Sequence, residues 1–305
     1  MNAVAELQTA YSTIYPDAGI IPGEMYLSPA FADGHNVFCA LDESGALVGY
    51  APVYPVLIGD DSLLPHTLWT EIKVHPACET PHEIKDQLLE QLMLHACEVT
   101  REFPSHPIHL TFQYFPSEKS SIEYVLSRGA QHTESLFNMS RDLSHEIPSI
   151  SERQDKNIVI HPWRMESEGE QQMYVRVRNE CFPEQPTELS EWQYFMQSPM
   201  WSVGTTFAAF HDEQLVGNVA VFWNGVENQQ TGRKIGYTEY IFVHPNWRGK
   251  NIARELITRG LMYLKEHGLE EAHLEVKAQN QNALRLYQNL GFEVIRESRF
   301  YVLIL

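Results

Sequence analysis

A chain of 305 residues is long enough for two domains of roughly 100–200 residues each. Its 43% hydrophobic and 20% charged residues exclude a disordered or fibrous protein, and no apolar run approaches the roughly 18 residues of a membrane span. A net charge of −18 speaks against a nucleic-acid partner, and four scattered cysteines without CxxC spacing fit reduced thiols in a cytoplasmic protein.

The opening residues lack the basic region and apolar core of a signal peptide, so neither export nor a membrane partner is expected. The spacing predicts a helix over 3–11. Val37-Phe38-Cys39-Ala40-Leu41-Asp42-Glu43 then leads through Ser44-Gly45 into Leu47-Val48-Gly49, the pattern of a β-hairpin. Trp69-Thr70-Glu71-Ile72-Lys73-Val74-His75-Pro76 reads as a strand and runs into an amphipathic helix. His109-Leu110 lies in a further strand, and a last helix ends at Gly129.

The same order returns downstream. After a polar stretch taken as a linker over 146–156, a strand is expected at 157–161 and helices at 170–181 and 189–196. A hairpin at 205–223 follows, then a strand at 235–244 and a long helix from about 247 to 267. A strand at 272–277, a helix at 281–290 and a final β segment complete the series. Phe207-Ala208-Ala209-Phe210-His211-Asp212-Glu213 and Leu215-Val216-Gly217 repeat the first hairpin, and Tyr237 through Pro245 repeats Trp69 through Pro76. The chain therefore reads as a tandem duplication, with domains at 1–145 and 157–305, the first lacking the opening strand. Residues 1–150 hold 6 Lys/Arg against 20 Asp/Glu, a balance of −14, and the remainder carries −4, so an anionic ligand belongs with the second copy.

In that copy, Val243-His244-Pro245-Asn246-Trp247-Arg248-Gly249-Lys250-Asn251-Ile252-Ala253 joins a strand to a helix. A helix start offers unpaired N–H groups and the positive end of the dipole to a phosphate. Gly249 permits close approach, Asn251 tolerates left-handed geometry, and Arg248 and Lys250 add charge. The segment resembles the acetyl-CoA signature of the GNAT superfamily of N-acetyltransferases, Gln/Arg-x-x-Gly-x-Gly/Ala, on Arg248, Asn251 and Ala253, with Asn in place of the central glycine. Asn280-Gln281-Asn282-Ala283-Leu284-Arg285-Leu286-Tyr287-Gln288-Asn289-Leu290-Gly291-Phe292 resembles the family's Asn-x-x-Ala-x-x-Leu-Tyr-x-x-x-Gly-Phe element. The tandem plan is similar to that of mycothiol synthase.

The resemblance implies an α/β fold (α+β in some schemes) of two GNAT-like domains, each a mixed, mostly antiparallel sheet flanked by helices with a splayed central cleft. It implies acetyl-CoA as cosubstrate, held by backbone groups of Phe242 and Val243, by the turn of Arg248, Gly249, Lys250, Asn251, Ile252 and Ala253, and by Asn280 and Tyr287. Tyr287 is the expected general acid and Glu239 the expected general base, with Glu275 as the alternative base. The expected activity is acetyl transfer to a primary amine of a small molecule or peptide within a ternary complex, by a monomer or homodimer. The alternative is a non-catalytic acyl-CoA sensor or scaffold. The acidic first half suggests a cationic acceptor. No metal site is expected, since the 14 histidines show no HxxxH or HExxH spacing. In the first copy Glu79 and Pro81 replace the phosphate turn, one repelling an anion and the other lacking an N–H, so that copy is expected to be degenerate and not to bind acetyl-CoA. The aromatic group of Trp192, Tyr194, Phe195, Met196, Met200 and Trp201 is a candidate acceptor wall.

Overall fold

The computed structural model describes residues 2–59, 64–149, 157–183 and 185–305. The chain begins with α1 (Asn2–Ile14), β1 (Val37–Leu41), β2 (Leu47–Val56), β3 (His66–Thr70), β4 (Lys73–Val74), α2 (Pro81–Glu102), β5 (Ile108–Tyr114), α3 (Lys119–Ser127) and β6 (Gln131–Asp142). It continues with β7 (Ile158–Pro162), α4 (Glu168–Cys181), α5 (Leu189–Met196), α6 (Pro199–Val203), β8 (Thr205–His211) and β9 (Gln214–Phe222). Then come α7 (Gly225–Thr231), β10 (Ile235–Val243), α8 (Ile252–Glu266), β11 (Glu271–Lys277), α9 (Gln281–Asn289) and β12 (Glu293–Ile304).

These elements form two compact units, one of Met1–Leu136 with Arg296–Leu305 and the other of Phe137–Ile295. The boundaries differ from the sequence division at 145 and 157, because backbone pairing assigns the ends of two long strands. Residues 299–304 of β12 pair with β5, and the peptide after β6 bonds to Glu270 beside β11. Of the expected linker, residues 150–156 lie outside the described residues.

In the first unit the sheet order is β1-β2-β3-β5-β12-β6, with β3 and β5 parallel over five residue pairs. Its core joins Leu68, Leu110 and Phe112 to Ile84, Leu88 and Leu92 of α2. The second unit has the order β6-β11-β10-β9-β8-β7, with β10 and β11 parallel. This sheet is covered on both faces. Leu256, Ile257, Leu261 and Leu264 of α8 pack on one face, and Tyr174, Trp192 and Trp201 of α4, α5 and α6 on the other. The first sheet ends at β1, whereas the second continues past the equivalent β8 to β7.

A glycine on the second strand of each hairpin sets the helix against the sheet. A Cβ on Gly49 would meet Ile84 of α2 at 2.7 Å, and one on Gly217 would meet the Phe242 carbonyl at 3.0 Å and Leu256 of α8 at 3.2 Å. Two expectations change. The long helix starts at Ile252 rather than near 247, because Gly249 (φ +79°) and Asn251 (φ +60°) adopt left-handed geometry that no helix contains. The short helices α6 and α7 were not foreseen, since five and seven residues are too few to display a 3.6-residue period. Gly217→Val is expected to push α8 off the sheet and cost about 1–3 kcal/mol, measured by urea denaturation.

Candidate functional site

The site begins where two strands part. β10 and β11 pair only through Ile235↔Glu271, Gly236↔Ala272 and Tyr237↔His273. Beyond that, β10 stays with β9 through Glu239↔Ala220 and Phe242↔Asn218, so two residues of β10 oppose one of β9. This is a β-bulge, and Tyr240 within it sits at φ +51°. A bulky residue in left-handed geometry costs roughly 1–2 kcal/mol, which the surrounding packing must offset. The parted strands leave a cleft of about 470 Å³. Ile241, Phe242 and Val243 of β10 line it, with Trp247, Arg248, Gly249, Asn251, Ile252, Ala253 and Arg254 along the turn and the start of α8. Asn280, Asn282, Ala283, Leu286 and Tyr287 close the other side, and Phe182 lies at the rim.

The turn into α8 has the form a phosphate site needs. Gly249 and Asn251 both take positive φ, and the 15-residue helix α8 begins immediately afterwards, so its first N–H groups face the cleft end of the loop. A Cβ on Gly249 would meet no atom within 4 Å, so backbone geometry rather than packing requires the glycine. Arg248 Nε donates to the Val243 carbonyl at 3.1 Å and ties the turn to the end of β10. His244 also stabilises it: its Nδ1 accepts the Asn246 N–H at 3.4 Å, while Nε2 lies 3.3 Å from Glu180 of α4. His75 accepts the Ala77 N–H in the same way, which explains the matching histidines of the two copies as turn caps. Glu255, in the first turn of α8, is buried against Arg259 at 3.0 Å, so its charge is compensated.

Of the residues singled out from sequence, Phe242, Val243, Arg248, Gly249, Asn251, Ile252, Ala253, Asn280 and Tyr287 line this cleft, whereas Glu239 and Lys250 are not among its lining residues. The Lys250 ammonium sits 4.4 Å from the centre of the Trp247 ring, a cation–π contact on the side of the turn. Glu239 stands at the point where the strands part, its half-buried carboxylate accepting the Glu275 N–H. Burial, with the Glu275 charge second, pushes its pKa up to about 8. Glu275 itself is exposed and accepts a hydrogen bond from Asn138 at 2.5 Å. Tyr287 is 6% exposed, and burial followed by the Glu239 charge raises its hydroxyl above the ordinary phenol range. Tyr287 thus senses the Glu239 charge. Asn280 caps α9 by accepting the Ala283 N–H at 3.2 Å, which fixes the helix that carries Tyr287 two turns later.

Sequence reasoning missed Phe182, Ile241, Trp247, Arg254, Asn282, Ala283 and Leu286 as lining residues. Arg254, one turn into α8, was findable from helical spacing; Ile241 and Leu286 look like ordinary core positions, and Phe182 carries no local signal.

The fold and cleft define a class. The profile of the acetyltransferase (GNAT) family matches residues 171–292, which span the cleft, its turn and α9. The second unit is a GNAT acetyltransferase domain. Among curated relatives, N-alpha-acetyltransferase MAK3 of Arabidopsis thaliana is 36% identical over 117 residues, covering 38% of this chain and 57% of that protein. Mycothiol acetyltransferase of Thermobifida fusca is 28% identical over 141 residues, 43% of each chain. The chain spans about half the length of such relatives. Among solved structures, a GCN5-related N-acetyltransferase from Sphaerobacter thermophilus shares the fold with a TM-score of 0.72 at 17% identity, covering 99% of this chain and 91% of that one. A tandem GNAT protein from the clavulanic acid biosynthesis pathway matches with a TM-score of 0.59 at 17% identity, covering 86% and 81%.

The raised pKa of Glu239 has a stability consequence. Between its ordinary value near 4.5 and about 8, the folded chain holds a proton that the unfolded chain has released, so this group makes stability fall as pH rises through that window. Glu239→Gln is expected to remove that slope and to raise Tm above pH 8, measured by thermal unfolding across pH 5–9; an unchanged slope contradicts the buried setting of this carboxyl.

Proposed function

We propose that the second unit transfers an acetyl group from acetyl-CoA to a primary amine, both substrates being bound together. The observation that carries this reading is a carboxyl shifted to about 8 at the fork of β10 and β11, its charge felt by a buried tyrosine that lines the cleft, beside a left-handed turn at the start of a long helix. The residues present suit acetyl-CoA. The edge of β10 at Phe242 and Val243, beyond its pairing with β11, offers backbone groups to its arm, the amides from Arg248 to Ala253 suit its pyrophosphate, and Asn280 and Tyr287 flank the opposite wall. Acetyl-CoA supplies the acetyl group as a thioester with a thiol leaving group of pKa about 8.5. Glu239, as carboxylate, takes a proton from the amine, which attacks as the neutral free base. Tyr287, held protonated by burial, gives its proton to the departing sulfur. Relatives named N-alpha-acetyltransferase and mycothiol acetyltransferase support acyl transfer as the reaction class.

The first unit takes no part in cofactor binding in this reading. Glu71, the repeat counterpart of Glu239, is paired with buried Lys73 at 2.8 Å. The Ile72 N–H, near where cofactor would approach the strand, instead donates to the Tyr114 hydroxyl at 3.0 Å. Tyr11 of α1 donates to Glu118 at 2.8 Å, and Tyr11, Lys73, Tyr114 and Glu118 are all buried. Side chains of the unit thus fill the place that the second unit leaves open. Pro81 opens α2 without an N–H, as expected from sequence.

Tyr287→Phe is expected to lower kcat about 10²-fold or more while leaving acetyl-CoA binding intact, measured by thiol release and by calorimetry. The log of kcat at saturating amine is expected to rise with pH and level off above about 8 in the wild type. In Glu239→Gln that limb is expected to vanish along with most of the rate; wild-type kinetics in both variants would refute the assignment.

A further inference from the structure

The bulge does more than open the cleft, because it also decides what lies on the opposite side of Glu239. Val221 and Thr238 pair across β9 and β10 and contact Gly260 of α8, so their neighbours Phe222, Tyr237 and Glu239 point to the other face of the sheet. The bulge turns Tyr240 to that face too, where its ring centre lies 5.3 Å from Trp192 and 5.3 Å from Phe195. Phe195 continues to Phe222 at 5.6 Å, and Phe222 stacks on Tyr237 at 5.8 Å. Glu239 is therefore flanked along its strand by two tyrosines, with three further rings completing a layer around it. Trp192 and Phe222 are buried at the back; Phe195, Tyr237 and Tyr240 are half-buried and form its accessible part.

The chemistry of that surface is one-sided. The Tyr237 hydroxyl is engaged by Glu227, and the Trp192 indole N–H is buried within the layer without a partner, so ring faces dominate what the layer offers. Glycine or asparagine would hold φ +51° with less strain than the tyrosine found at 240, so the ring stands there at a conformational cost. Ring faces attract an ammonium and bury an apolar body.

Building on the acetyl-transfer reading, we infer that the acceptor is a primary amine carried on an aromatic or similarly apolar group, which rests on Phe195, Tyr237 and Tyr240 while its nitrogen reaches Glu239. In the reaction the amine nitrogen forms the amide bond as the carbon–sulfur bond of the thioester breaks, with one proton passing to Glu239 and one from Tyr287 to sulfur. The body of the acceptor stays on the rings throughout. Specificity then resides in residues of β10 and α5 that carry none of the proton chemistry.

The test uses the full chain with saturating acetyl-CoA and measures thiol release with 2-phenylethylamine, spermidine and glucosamine. The expected result is a kcat/KM for 2-phenylethylamine at least about 10-fold above the other two. Phe195→Ser and Tyr240→Asn, the latter chosen because asparagine accepts φ +51°, are each expected to raise the KM for 2-phenylethylamine about 10-fold without changing the KM for acetyl-CoA. A preference for spermidine or glucosamine, or an unchanged 2-phenylethylamine KM in both variants, overturns the inference while leaving acetyl transfer standing. Absence of turnover with all three amines overturns the acetyl-transfer reading and the inference with it.

Discussion

The separation of β10 from β11 after the Tyr237↔His273 pair is the constraint on which the cleft of the second unit depends. A regular parallel pair would satisfy both strand edges with each other and leave nothing for a ligand. The bulge at Tyr240 breaks that pairing while keeping β10 fixed to β9, so one edge stays rigid and the other opens. The cleft, the setting of Glu239 and the layer of rings beside it follow from that single irregularity. Its strain is offset by ring packing around Tyr240 and by the close seating of α8 at Gly217.

The same architecture occurs twice with opposite outcomes. Among the described residues of the second unit no lysine pairs with the carboxyl at the fork, and burial raises its pKa into the range where a base works near neutrality. In the first unit the equivalent Glu71 is matched with Lys73, and Tyr114 satisfies the backbone that the parting of strands would leave open. A buried ion pair and a network of tyrosine hydroxyls make an interior that needs no ligand to satisfy its polar groups.

Much of this was legible in sequence because it is written locally. The hairpins, the strand–helix alternation and the His-Pro turns show the duplication, and α5 begins and ends where its apolar period predicts. Asn251 takes the left-handed geometry expected of an asparagine standing where the resemblance has glycine. The rest depends on contacts that no local pattern encodes. Tyr237-Thr238-Glu239-Tyr240-Ile241-Phe242-Val243 reads as an uninterrupted strand, and nothing in it marks Tyr240 as a bulge. The seat of the Lys250 ammonium on the Trp247 ring has no local signature either. The filling of the first unit joins Tyr11 to Glu118 across 107 residues, a distance at which spacing carries no information.

In the proposed reading one fork is open to acetyl-CoA and the other is closed by its own side chains. Calorimetric titration of the full chain with acetyl-CoA tests it most directly, comparing the wild type with a Gly249→Val/Asn251→Val variant whose β-branched residues oppose the left-handed turn. One site per chain is expected in the wild type and none in the variant. Two sites in the wild type, or a full site remaining in the variant, would contradict it.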